Sequence, residues 1–323
     1  MLWPINCDLP EDGHNRLKFS EIKPIYKKGD KTFVTNYRPI SLLPVFSKVF
    51  ENIIYKRLYH HLTLNNTLVK EQFGFWCIYS TEIDIYTLIN NILSSLNNKI
   101  IVGGLFCDLQ KAFDCVNYDT LLLQMTFYGI SGVANKLMES YLRNRYQTVV
   151  INAHNNSNGR FSKWEEVPQG SVLGPLLFLI YVNNLSKNIS DKSSPILFAD
   201  DTSFIIANRD EKEFKFNINE IFNEINKWFH SILLMLNYDR THFLQFLTKF
   251  DHEINMQVSF GNRNITNTQS LKVLDLTIDT SLPWEHHTGD VISSLKKACY
   301  AIRSIKPFMS LDVLRSTYFS YVH

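Results

Sequence analysis

Pro195-Ile-Leu-Phe-Ala-Asp-Asp-Thr-Ser-Phe-Ile-Ile-Ala207 sets two short apolar runs on either side of an adjacent pair of carboxylates. The β-branched and aromatic flanks predict a β-hairpin with Asp200 and Asp201 at its tip. Asp-Asp is a poor turn pair beside Asn-Gly or Asp-Gly, and two neighbouring anions repel. Such a pair asks for a cation. Successive strand side chains point to opposite faces, so only one of the two aims squarely at a given ion, and a further carboxylate must come from elsewhere. Asp108 is the candidate. It ends the run Ile100-Ile-Val-Gly-Gly-Leu-Phe-Cys107, which predicts a strand buried on both faces, where a carboxylate is costly unless paired or metal-bound. The plain alternative, a solvated turn that happens to carry two aspartates, leaves Asp108 unexplained.

Five blocks extend this reading: Tyr37-Arg-Pro-Ile-Ser-Leu-Leu-Pro44, Gln72-Phe-Gly-Phe75, Asp108-Leu-Gln-Lys-Ala-Phe-Asp114, Val167-Pro-Gln-Gly-Ser-Val-Leu-Gly-Pro175 and Phe198-Ala-Asp-Asp201. In content and order they resemble the reverse transcriptases of non-LTR retrotransposons of the LINE or jockey-like kind, over residues 17–284. Each block alone is weak; together they confirm one another. The resemblance implies an α+β right-hand polymerase, with fingers and an antiparallel palm sheet packed on helices. It implies RNA-directed DNA synthesis in which Asp108, Asp200 and Asp201 hold two Mg²⁺ ions, with Mn²⁺ as the alternative. One ion would activate the primer 3′-hydroxyl and the other neutralise the triphosphate. The implied partners are an RNA template, a DNA primer and deoxynucleoside triphosphates. The rival class is a nucleic-acid-binding remnant without catalysis; an RNA-templated RNA polymerase is a third reading, which Phe113 opposes.

Composition alone does not find this function. A 45% apolar chain of 323 residues supplies the core of one large domain or two. A net charge of +2 confines any nucleic-acid surface to local patches. The five cysteines form no CxxC pair, which suggests reduced thiols and an intracellular compartment, nucleus or cytoplasm. No signal peptide is apparent at Met1-Leu-Trp-Pro4, and Leu176-Leu-Phe-Leu-Ile-Tyr-Val182 is too short to span a bilayer, so no membrane partner is expected.

Along the chain, residues 21–31 predict a strand entering a basic turn, and the resemblance implies that Lys27 and Arg38 grip the incoming triphosphate. Arg suits this task because its planar fork meets phosphate oxygens in pairs. Residues 44–62 predict an amphipathic helix whose apolar positions include Val45, Val49, Phe50, Ile53, Ile54, Leu58 and Leu62. His60-His61 reads as the helix end, without metal spacing around it. Phe113 stands where the family places a steric gate against the sugar 2′-hydroxyl, a role compatible with being a core aromatic. Residues 119–128 predict a helix ending at Gly129, and 137–146 part of a second with Arg143 and Arg145 at its end. Val167-Pro-Gln-Gly170 opens the apolar helix 175–185; the resemblance assigns Gln169 to positioning base pair and template, while Gly170 lets backbone approach the substrate. Residues 211–233 predict a helix that covers the palm, 256–265 a hairpin, and 271–278 a further strand.

Three departures stand out. Arg240 occupies a position usually held by Lys, and scarcely releases a proton; the family's Phe-Leu-Gly has become Val273-Leu-Asp275. Trp76-Cys-Ile-Tyr79 replaces a basic surface. The chain also stops at His323, so residues 285–323 are expected to begin a truncated thumb, as in a fragment or a decayed copy.

Overall fold

The computed structural model describes residues 18–27, 29–75, 81–149, 161–164, 167–248 and 252–322. In chain order β1 (Phe19–Tyr26) and β2 (Tyr37–Leu42) precede α1 (Val45–Leu64) and α2 (Thr81–Asn97). Then come β3 (Ile101–Cys107), α3 (Tyr118–Phe127), α4 (Val133–Leu142), β4 (Arg145–Val149), β5 (Phe161–Trp164), α5 (Gly174–Val182) and α6 (Leu185–Asn188). They are followed by β6 (Ser193–Phe198), β7 (Asp201–Asn208), α7 (Glu211–Ser231), β8 (His242–Phe246), β9 (Ser259–Phe260), β10 (Arg263–Asn264) and β11 (Thr266–Asn267). β12 (Ser270–Val273), β13 (Leu276–Asp279), α8 (Glu285–Ile305) and α9 (Leu311–Val322) complete the described chain.

The organising layer is a five-stranded sheet in the order β11-β8-β3-β7-β6, antiparallel except where β11 joins β8. β3 is central, as its unbroken apolar run requires, since a strand covered on both faces has no polar side to show. Alternation sends Leu105, Cys107, Phe204 and Ile206 into one core with α3, α5 and α7. Val102, Phe106, Ile196 and Ile205 go to the other face, where Leu88 and Ile92 of α2 cover them. α5 is apolar on all sides and is correspondingly enclosed, while α7 buries one stripe from Phe214 to Phe229. Each large side chain so enclosed contributes about 1.5–3 kcal/mol of burial. Asp210 caps α7 by accepting from the Glu213 amide at 2.9 Å. A second sheet, β2-β1-β4-β5, carries the basic turn at the end of its β1–β2 hairpin.

Three expected elements come out differently. α1 does run from Pro44, but its inward stripe is Ser47, Glu51, Ile54, Leu58 and Leu62, leaving Val45, Val49 and Ile53 exposed. Hydrophobicity alone misplaced that face because a carboxylate lies inside it. The second helix predicted over 137–146 ends at Leu142; Asn144 takes a left-handed φ of 56° and Arg145 opens β4. The strand predicted over 271–278 is a hairpin, because Leu274 and Asp275 both have positive φ, the geometry that turns two strands tightly. The helix predicted over 119–128 forms as Tyr118–Phe127, and the hairpin predicted over 256–265 forms with pairing confined to Ser259–Phe260 and Arg263–Asn264. His61 serves the end of α1 by bonding the Tyr128 carbonyl at 2.9 Å. Among the described residues Cys107 and Cys299 are free thiols, Cys107 buried and Cys299 exposed. No described helix is long and apolar enough to cross a membrane.

Candidate active site

The hairpin predicted around Asp200 forms from β6 and β7, with Phe198 paired to Asp201 and a two-residue turn of Ala199 and Asp200. Ala199 has a φ of +58°, a conformation that a Cβ disfavours. The block Gln72-Phe-Gly-Phe75 holds it there. Gln72, itself buried, accepts the backbone amides of both Gly74 and Ala199 at 3.1 Å. Phe73 donates its amide to the Leu197 carbonyl at 2.8 Å. A Cβ on Gly74 would stand 2.4 Å from the Ala199 nitrogen, so only glycine lets these two backbones meet.

Asp108 follows β3 directly, and the β3–β7 register, Cys107 against Thr202, leads one step further to Asp108 opposite Asp201. The three carboxylates therefore gather at one end of the sheet. Burial pushes the Asp108 carboxyl up and Asp200 adds to this, while Arg240, Asn237 and Lys27 pull the other way. The Asp201 carboxyl is pushed up to about 6 by loss of water and by Asp200 and Asp108. Crowded anions of this kind call for a cation. Among the described residues no three ligand-type side chains close into a ready-made metal cage. Mg²⁺ does not need one, since it commonly takes one or two carboxylates and completes its shell with water and substrate phosphate. The donor set fits that ion.

Sequence reasoning missed how Asp108 is held. The segment that follows α7 wraps it: Asn237 donates its side-chain amide to Asp108 Oδ2 at 3.3 Å and its backbone amide to the Asp108 carbonyl at 2.8 Å. Arg240 lies 3.7 Å from the same Oδ2, and the buried Thr241 hydroxyl accepts the Asp108 amide at 3.4 Å. The short polar run Asn237-Tyr-Asp-Arg-Thr241 after the palm-covering helix was the available signal. Asp84 was missed as well. It lies in the first turn of α2, is 3% exposed, and its Oδ1 has no hydrogen-bond partner. Burial, and then the charge of Asp201, push it up to about 7.

The remaining candidates converge on the same end of the sheet. Lys27 follows β1 and Arg38 lies in β2, paired with Ile25. Desolvation, then Arg38 and Arg240, lower the Lys27 ammonium, while Asp108 and Asp114 oppose them, so these five charges share one neighbourhood. Phe113 is half-buried, with its ring 4.9 Å from that of Phe178 and 6.5 Å from Phe75. Gln169 donates to Asp114 Oδ1 at 2.8 Å, which ties the Gln169 turn to the loop following Asp108. Gly170 takes a φ of +110° against the Ser41 carbonyl. Trp76 and Cys77 lie outside the described residues.

A carboxylate-tipped hairpin beside a central strand that ends in a third carboxylate, with a basic hairpin nearby, has the arrangement of a polymerase-type palm with its fingers. The chain belongs to the reverse transcriptase (RNA-dependent DNA polymerase) family, whose model matches residues 25–278. It is 27% identical over 294 residues to a Drosophila melanogaster protein named "Probable RNA-directed DNA polymerase from transposon X-element", covering 86% of this chain and 31% of that one. It is 26% identical over 281 residues to the RNA-directed DNA polymerase from mobile element jockey of the same species, covering 85% and 30%. The chain thus spans about a third of the length of these relatives. In fold it is similar to apo telomerase from Candida tropicalis, with a TM-score of 0.56 at 12% identity, covering 84% of this chain and 48% of that one. Candida albicans telomerase, solved with a TWJ fragment of telomeric RNA, gives 0.54 at 12% identity, covering 85% and 46%.

Proposed function

We propose that the chain is the polymerising part of an RNA-directed DNA polymerase that extends a DNA primer on an RNA template with deoxynucleoside triphosphates. The observation that carries this reading is the meeting of Asp108 with the Asp200-Asp201 tip beside Lys27, Arg38 and Arg240. Asp108 and Asp200 would hold two divalent ions, Mg²⁺ by the oxygen character of the donors, with Asp201 in support. Bound there, such ions supply charge neutralisation at the phosphoryl group and a more acidic primer hydroxyl.

The chain's own residues do the rest. Asn237 and Arg240 hold the Asp108 carboxylate in orientation and favour its charged form. Lys27 and Arg38 bind the triphosphate, Arg38 through paired contacts to phosphate oxygens. Phe113, braced by Phe178, denies a 2′-hydroxyl both space and a hydrogen-bond partner, which selects deoxynucleotides. Gln169 and Gly170 form the surface against which the base pair is set. Residues 17–284 constitute the fingers and palm in this reading, and 285–323 begin the thumb. Free thiols at Cys107 and Cys299 support an intracellular setting, in nucleus or cytoplasm.

Primer extension on an RNA template with deoxynucleotides and Mg²⁺, beside an Asp200→Asn control, tests this. Extension that the control lacks is expected. Wild-type protein that binds template and primer but never extends them would replace polymerisation with the reading of a non-catalytic nucleic-acid-binding remnant.

A further inference from the structure

Glu51 is the least expected residue in α1: a carboxylate with 0% of its surface exposed, in the middle of the stripe that faces the core. An ionised group there costs several kcal/mol unless every oxygen is served. Both are. Oε1 accepts the Tyr141 hydroxyl at 2.7 Å and Oε2 accepts the Val172 amide at 2.7 Å. Tyr141 is enclosed in α4, where burial drives its phenol far above the ordinary range, so it keeps its proton and donates it to Glu51. On its other side Arg145, 1% exposed, lays its guanidinium 4.8 Å from the Tyr141 ring centroid and donates Nη1 to the Tyr141 carbonyl at 3.2 Å. A buried anion and a buried cation thus bracket one phenol. Replacing such an ionic cluster by apolar side chains is often neutral or stabilising, so its presence argues for something other than stability.

What the anion reaches is the turn that carries Gln169. Val172 lies three residues after it. The same turn is gripped from the β2 side, where Ser41 donates its amide to the Gln169 carbonyl at 2.8 Å, and internally, where Ser171 Oγ accepts the Gly174 amide at 2.7 Å. Gln169 then donates to Asp114 in the loop after Asp108. A continuous path runs from a helix of the fingers through a charge-assisted bond to the base-pair surface and on to the catalytic loop.

We propose that Glu51 is a positioning residue for the Gln169-Gly170 turn, setting the surface against which the incoming nucleotide pairs with template; this rests on the polymerase reading above. An apolar residue could fill the volume of Glu51, but only a carboxylate takes the Val172 N–H and the Tyr141 O–H together.

The test compares Glu51→Gln and Tyr141→Phe with Ile221→Val, a core change in α7 remote from the turn. Hydrogen exchange of residues 167–174 and steady-state primer extension are measured on the full chain, with melting temperature as the reference. Gln keeps the volume but offers one acceptor oxygen, so exchange in 167–174 should quicken roughly 10- to 100-fold, the scale of a hydrogen bond to a charged group. KM for the correct deoxynucleotide should rise and mismatch discrimination fall in Glu51→Gln, less in Tyr141→Phe, and neither in Ile221→Val despite its lower melting temperature. Unchanged exchange in Glu51→Gln overturns the proposal, and so does faster exchange with KM and discrimination at wild-type values. If wild-type protein extends no primer, the polymerase reading falls by itself; exchange then decides the tether alone, lost protection supporting it and retained protection overturning it.

Discussion

Replacing Asp84 with Asn should stabilise the protein, and by an amount that depends on pH. The Asp84 carboxyl is enclosed against the sheet with Oδ1 unpartnered, and its native value is about 7 against 3.8 for a free side chain. Because the native value is raised, the folded state keeps a proton that the unfolded chain releases. The penalty is therefore absent below pH 3.8, grows as pH rises towards 7, and is complete above it. Over the span from 3.8 to about 7, at about 1.4 kcal/mol per pH unit, this is somewhat more than about 4 kcal/mol as an upper bound, and an expected gain of about 2–4 kcal/mol allows for the favourable placement of an anion in the first helical turn. Asn has the same shape and does not titrate. Denaturant unfolding of both proteins at intervals from pH 4 to 8, with chelator present to keep divalent ions out, gives the difference directly. Groups common to both proteins cancel, apart from Asp201, which is relieved of its neighbour and adds to the same trend. A stability difference that stays flat from pH 4 to 8 would refute the argument that Asp84 is a buried acid held against its charge.

Asp108→Asn and Asp200→Asn should each lower primer extension by at least about 10³-fold, from several kcal/mol of lost charge stabilisation, with Asp201→Asn milder; equal modest losses at all three would count against their assigned roles. Phe113→Val should admit ribonucleotides, read as the ratio of kcat/KM for the two sugars, and an unchanged ratio would remove Phe113 from sugar selection. Lys27→Ala and Arg38→Ala should raise KM for deoxynucleotide about tenfold each while template-primer affinity, measured by fluorescence anisotropy, stays put. Gly74→Ala should cost about 2 kcal/mol or more in denaturant unfolding, since its Cβ meets the Ala199 backbone rather than a side chain that could turn away; a loss below about 0.5 kcal/mol would show that the hairpin tip yields easily.

Much of this molecule was legible in one dimension because its signals are local. The period-2 pattern around Asp200, the doubly apolar run before Asp108 and the order of five short blocks each depend on residues close in sequence, and each led to the observed strands and hairpin. What hydrophobic pattern could not reveal is where a polar residue faces inward. Nothing in the local pattern marks Glu51 or Asp84, yet both are enclosed. Glu51 has partners 90 and 121 positions away, and the charge that acts on Asp84 is that of Asp201, far along the chain. The same holds for Asn237, whose hold on Asp108 spans 129 positions. At the tight pair Leu274-Asp275 a leucine takes a positive φ against its type, whereas Asp275 and Asn144 adopt a region that Asp and Asn tolerate but do not always occupy, so neither turn could be read from the residues alone. Hydrogen bonds and charge interactions act through space over a few ångströms, and only the folded chain decides which residues come within that range.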